Sequence, residues 1–259
     1  MSKATSPEGP DLSAIARDLK ADLGLTAPPV QISYMATPPH GAVPVSNSLP
    51  SVCSFFAAGG TRNLIAPRSA HGECEIGAYV MGISPEGALG GRLSSTVSWM
   101  EEKGYLAPGE AAHIPHNATA PEFVGYGPLG SLPTPPTVVM MFVRPRALML
   151  VVEAAARAWP GSPAPPLLSR PMCSFVPVLL GGAHVVISVG CSGSRVYTEM
   201  GDDTMLVGIR ADALRRFAKA VHEIRKSNDQ VWDLNLERKL AARSMAGSPA
   251  GSGRSPSPS

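Results

Sequence analysis

One series of features occurs twice, in the same order, along this chain of 259 residues, and a chain made of two copies of one unit has few ways to fold. Pro28-Pro29 leads into Val-Gln-Ile-Ser-Tyr-Met, and Pro135-Pro136 leads into Thr-Val-Val-Met-Met-Phe. Each is followed by a Cys-Ser-Phe triplet (Cys53 to Phe55, Cys173 to Phe175) and a glycine pair (Gly59-Gly60, Gly181-Gly182). An apolar strand, a second cysteine (Cys74, Cys191), a tyrosine (Tyr79, Tyr197) and a Met-Gly pair (Met81-Gly82, Met200-Gly201) complete the series. The spacings differ, 21 positions from Cys53 to Cys74 and 18 from Cys173 to Cys191, so the match is one of order and not of strict period. The expectation is an internally duplicated domain with two pseudo-equivalent halves, 11–130 and 131–243. A pseudo-twofold axis between them would bring equivalent residues together, and the two cysteine pairs could then face one another.

Five short apolar runs read as strands, at 30–35, 63–66, 138–143, 184–189 and 204–209. The third and fourth are nearly continuous β-branched or Met residues, as buried strands require. Helical periodicity marks 93–103, 146–159 and 212–227, and a first helix opens at Asp11 and ends at Gly24. Strands and helices mix without strict βαβ alternation, so the predicted class is α+β: one mixed β-sheet flanked by helices. Residues 1–10 and the Ser/Pro/Gly stretch 244–259 have too little apolar surface to offset the entropy of ordering them and are expected to be disordered.

A hydrophobic fraction of 44% is enough for a substantial core. The longest apolar stretch is broken by Arg144, Pro145 and Arg146 and falls short of a membrane span. Residues 1–10 lack an apolar core or cleavage signal, so the chain reads as soluble and cytoplasmic, with reduced thiols. A net charge of +2 with 16% charged residues, no basic stripe and few aromatics argues against nucleic acid as a partner. A small-molecule ligand fits better. The sequence does not fix the number of subunits.

Four cysteines in a reducing compartment more often ligate or react than form disulfides. Cys53, Cys74, Cys173 and Cys191 are also the number of thiolates that an iron–sulfur cluster or a tetrahedral zinc takes. No Cys-x-x-Cys pair supports this, so three roles stay open: metal or cluster ligands, reactive thiols, and small apolar packing residues. Cys191 stands out as the reactive or ligating position. It follows a strand, Gly190 and Gly193 permit a turn with converging N–H groups, and Arg195 adds charge that favours thiolate. Cys74 lies between Glu73 and Glu75, which raise its pKa. Asp202 and Asp203, after Gly201, form either a turn or a paired carboxylate site reaching the same end of the sheet. His113 and His116 flank Pro115 and read as surface loop.

The segments Cys53-Ser-Phe, Cys74-Glu-Ile-Gly-Ala-Tyr-Val-Met-Gly-Ile, Gly127-Pro-Leu and Gly190-Cys-Ser-Gly-Ser-Arg-Val-Tyr-Thr, with Gly201-Asp-Asp, resemble the prokaryotic domain of unknown function 169 family over roughly residues 12–228. The resemblance implies a soluble prokaryotic protein with cysteines at these places and assigns no catalytic residue. The Pro-rich connection 155–171 and the tail after 244 depart from it. Two functions compete. One is a redox or cofactor-dependent protein that holds an iron–sulfur cluster or metal near a cleft between the halves. The other is a non-catalytic small-ligand or accessory module whose cysteines only pack.

Overall fold

Alternation along the strands sorts the helices onto the two faces of one sheet. In β4 (Val138–Val143), Val138 and Met140 point to one face while Val139, Met141 and Val143 point to the other, and all five are buried. Successive side chains on a strand project to opposite faces, so a run that is apolar at every position needs cover on both sides. The computed structural model describes residues 11–84 and 91–246, and within them that cover is complete.

The sheet has seven strands in the order β2-β3-β1-β4-β7-β6-β5. These are β1 (Val30–Met35), β2 (Leu64–Pro67), β3 (Phe123–Pro128), β4, β5 (Leu167–Leu168), β6 (Val185–Ser188) and β7 (Met205–Arg210). All neighbours are antiparallel except β5 and β6. The sheet is therefore mixed and the class α+β, as the sequence predicts. On one face lie α1 (Leu12–Leu23), α5 (Pro145–Ala158) and α8 (Leu214–Ala246), packed around Val139, Met141, Val207, Ile209 and Phe217. The other face carries α2 (Val52–Gly59), α3 (Glu75–Val80), α6 (Phe175–Leu180) and α7 (Ser192–Thr198); Cys53 and Cys173 belong to its core, and Cys74 and Cys191 pack against it. α4 (Gly91–Glu102) sits outside α3 with Leu93 as its one buried residue.

Several predicted bounds agree to within a residue or two, and the misses have physical reasons. β3 was not anticipated because Gly125, Gly127 and Pro128 break its apolar run. Both glycines leave room for what lies over them: a Cβ at 127 would come 2.3 Å from Asn63 Oδ1, and one at 125 would press on Leu132 Cδ1 at 3.1 Å. α8 runs on to Ala246, well past the expected end near 227, so 244–246 are helical rather than part of a disordered tail. The remaining expected disorder, at 1–10 and 247–259, lies outside the described residues. No helix among the described residues is long and apolar enough to cross a membrane.

Candidate functional site

Each cysteine is placed by the start of a helix. Ser51 caps α2, its Oγ accepting the Ser54 N–H at 3.0 Å, and this sets Cys53 in the first turn facing the sheet. Cys173 lies in a single 3-10 turn, Met172–Ser174, that runs directly into α6. Both thiols are buried, at 6% and 3% exposure. Cys74 and Cys191 are themselves the N-cap residues of α3 and α7, and both are half-buried.

Around Cys191 the local geometry is closely specified. The Cys191 N–H donates to Ser194 Oγ at 2.8 Å, Ser194 Oγ donates to the Cys191 carbonyl at 2.8 Å, and the Ser194 N–H donates to Cys191 Sγ at 3.4 Å. This is a capping box in which sulfur takes the place of a hydroxyl. Gly190 supplies the turn before it with φ +83°, and a Cβ there would lie 2.9 Å from Ser194 Oγ. Inside α3, three residues after its cap and so at the position that Ser194 holds in α7, Gly77 leaves room for a sulfur: a Cβ at 77 would be 2.8 Å from Cys74 Sγ.

All four cysteines line one cavity of about 230 Å³ on the face of the sheet that carries α2, α3, α6 and α7. Its other walls are mainly apolar, with Ile76 from α3, Met100 from α4, and Leu106, Ile114 and Met172 from the connections. Burial pushes the Cys53 and Cys173 thiols well up, and the neighbouring cysteines push further in the same direction. Cys53 is affected by Cys191 and Cys74, and Cys173 by the other three. Cys74 is raised first by burial. Glu75 and Cys191 add to that, against the opposing pull of the Val52 and Gly77 N–H groups. These three thiols are therefore protonated at neutral pH unless something positive enters the cavity.

Not every candidate residue reaches it. Arg195 is engaged with backbone: its Nη2 donates to the Val189 carbonyl and its Nη1 to the Gly201 carbonyl, both at 2.9 Å, which pins the two ends of the 189–201 segment. Asp202 is fully exposed, 3.8 Å from Arg195, and Asp203 lies 3.4 Å from Arg144; neither lines the cavity. His116 is on the surface, its Nδ1 3.2 Å from the Tyr79 hydroxyl. Among the described residues no three His, Cys, Asp or Glu side chains are grouped so as to hold a single metal ion.

Sequence reasoning missed Tyr105, Glu110 and Arg170. Arg170, three residues before Cys173, lines the cavity, donates to both Glu110 carboxylate oxygens at 3.1 and 3.2 Å, and lies over the Tyr105 ring at 4.9 Å. Nothing in the spacing of these residues announces the contact. His71 was also missed. It is buried behind the cavity with Nδ1 donating to the Pro67 carbonyl at 3.1 Å, so its Nε2 must accept from the Tyr126 hydroxyl, 2.9 Å away.

Fold and site together define a class: an α+β protein with a mixed sheet and a four-cysteine cavity on one face. Residues 18–220 match the model of DUF169, described as "Uncharacterised ArCR", and the chain belongs to that family. Nothing among the curated proteins or the solved structures matches the chain significantly.

Proposed function

We propose that this protein binds an iron–sulfur cluster through Cys53, Cys74, Cys173 and Cys191 and uses it in redox chemistry. The observation that carries the reading is the convergence of every cysteine in the chain on one cavity from four separate helix starts. Free thiol catalysis is disfavoured because burial holds three of the four protonated, whereas a nucleophile needs its pKa lowered. A cluster's positive iron core inverts that preference and stabilises the thiolates. Ligands spread around a cavity suit a polynuclear cluster better than one zinc ion, whose four sulfurs must each lie about 2.3 Å from a common centre. Held by Cys53, Cys74, Cys173 and Cys191, a cluster would supply one-electron transfer.

We further infer that the halves 11–130 and 131–243 are copies. Reading outward from the antiparallel β1/β4 seam, the strand orders β1-β3-β2 and β4-β7-β6 correspond. Cys53 and Cys173 then both lie at the start of the helix that precedes the outermost of these three strands, β2 or β6, and Cys74 and Cys191 both cap the helix after it. The β5 segment and α5 have no counterpart in the first half. Superposition of α2-β2-α3 on α6-β6-α7 in an experimental structure supports this, and failure of those segments to superpose rejects it.

The apolar walls favour a second reading, in which the cavity takes a small apolar ligand and no metal. Anaerobic purification with iron and acid-labile sulfide analysis separates the two. The cluster reading predicts iron and sulfide in equal amounts, about two or about four of each per chain, reduced in each single Cys→Ala variant. A colourless, iron-free protein that stays so after reconstitution, and releases an organic ligand in native mass spectrometry, supports the second.

A further inference from the structure

A second cavity, of about 300 Å³, lies on the α1, α5 and α8 side of the sheet, between the end of α1 and the start of α5. Its floor is apolar: Leu25, Val143 and Leu150 are all buried and belong to the core on that side. Three guanidinium groups stand around it, those of Arg144, Arg146 and Arg225, and no acidic side chain lines it. Two of these charges are matched from outside the cavity. Arg144 lies 3.4 Å from Asp203, and Arg225 Nε donates to Asp229 at 2.8 Å while its Nη1 donates to the Asp22 carbonyl at 3.2 Å. The third is not matched: Arg146 rests on the Trp232 ring at 4.6 Å, and among the described residues no carboxylate pairs with it. The last α1 carbonyls, which would oppose an anion, are already taken. Lys20 accepts from the Leu25 N–H, Ala21 from the Gly24 N–H and Asp22 from Arg225. The cavity therefore keeps an excess of positive charge above an apolar floor.

We propose that this cavity binds a phosphate monoester with an apolar body, the phosphate held by Arg146 together with Arg144 and Arg225, and the body resting on Leu25, Val143 and Leu150. A guanidinium carries several N–H donors in one plane, so a bond to one partner leaves others for a ligand oxygen. Its fork matches carboxylate and phosphate alike. Three such groups around one opening favour phosphate, which offers more acceptor oxygens and more charge than a carboxylate. The volume is at the small end of ligand sites, which suits a body of one ring or a short chain. This site shares no residue with the cysteine cavity, so it stands or falls independently of the cluster.

Titration calorimetry of the full chain with phenyl phosphate, inorganic phosphate and phenol tests the proposal. It predicts saturable binding of phenyl phosphate, about tenfold or more tighter than that of inorganic phosphate, and no saturable heat with phenol. Arg146 is exposed, so Arg146→Gln should keep the parent's unfolding midpoint while weakening phenyl phosphate by about tenfold or more. Arg17→Gln, which removes an equal charge from the exposed side of α1, should leave the affinity as it is. No saturable binding at millimolar phenyl phosphate, inorganic phosphate or phenol bound as tightly, or an Arg146→Gln loss no larger than that of Arg17→Gln would each overturn it.

Discussion

Gly77 illustrates how a missing side chain makes the site possible. The space its Cβ would fill lies 2.8 Å from Cys74 Sγ and 2.9 Å from Val52 Cγ2, and Val52 precedes Cys53. Gly77→Ala must therefore displace the Cys74 sulfur and the Val52 side chain next to Cys53. Overpacking of this kind costs about 1–3 kcal/mol, and the account expects that loss in urea unfolding together with reduced iron retention. His71 belongs to the same scale. Burial lowers its pKa from 6.5 to about 4, so the folded imidazole stays neutral while the unfolded one takes up a proton. Stability contributed by the neutral form is present above 6.5 and lost as pH falls towards 4, by about 3 kcal/mol in total. Unfolding midpoints measured across that window should show a slope that is smaller by one proton in His71→Gln, and an equal slope in both proteins would remove His71 as its source.

At the scale of elements, α6 lies directly on β7 because Gly208 is bare: a Cβ there would be 2.5 Å from Phe175 Cδ2 and 3.0 Å from Leu179 Cδ1. Gly208→Ala should lift the start of α6 and with it the Cys173 turn, lowering stability by about 1–3 kcal/mol in the same unfolding measurement. The apolar strands β4 and β6 were legible in the sequence because burial on both faces leaves a nearly continuous apolar signature. β3 was hidden by the glycines that let Asn63 and Leu132 close over it, a tertiary requirement that no local pattern encodes. Likewise Cys191 reads as a glycine-flanked turn, and its role as the cap of α7 depends on Ser194 folding back onto it. The candidate cysteines were legible as a set of four. The Arg170–Glu110–Tyr105 cluster at their rim was not, because its members are 60 and 65 positions apart in sequence and only the folded chain brings them together.

For the whole molecule, the central claim is that four thiols from four helix starts act as one ligand set. Because burial holds Cys53, Cys74 and Cys173 protonated in the metal-free protein, loading must release protons and should fall steeply as pH is lowered. Reconstitution titrated against pH and followed by iron retention checks this, and loading that does not vary with pH would show that these thiols do not ligate. The most direct measurement is iron anomalous scattering from crystals of the anaerobically reconstituted protein. The account predicts a single strong peak inside the cavity, within bonding reach of the sulfurs of Cys53, Cys74, Cys173 and Cys191. Iron located elsewhere, or bound by fewer than three of these cysteines, would contradict it.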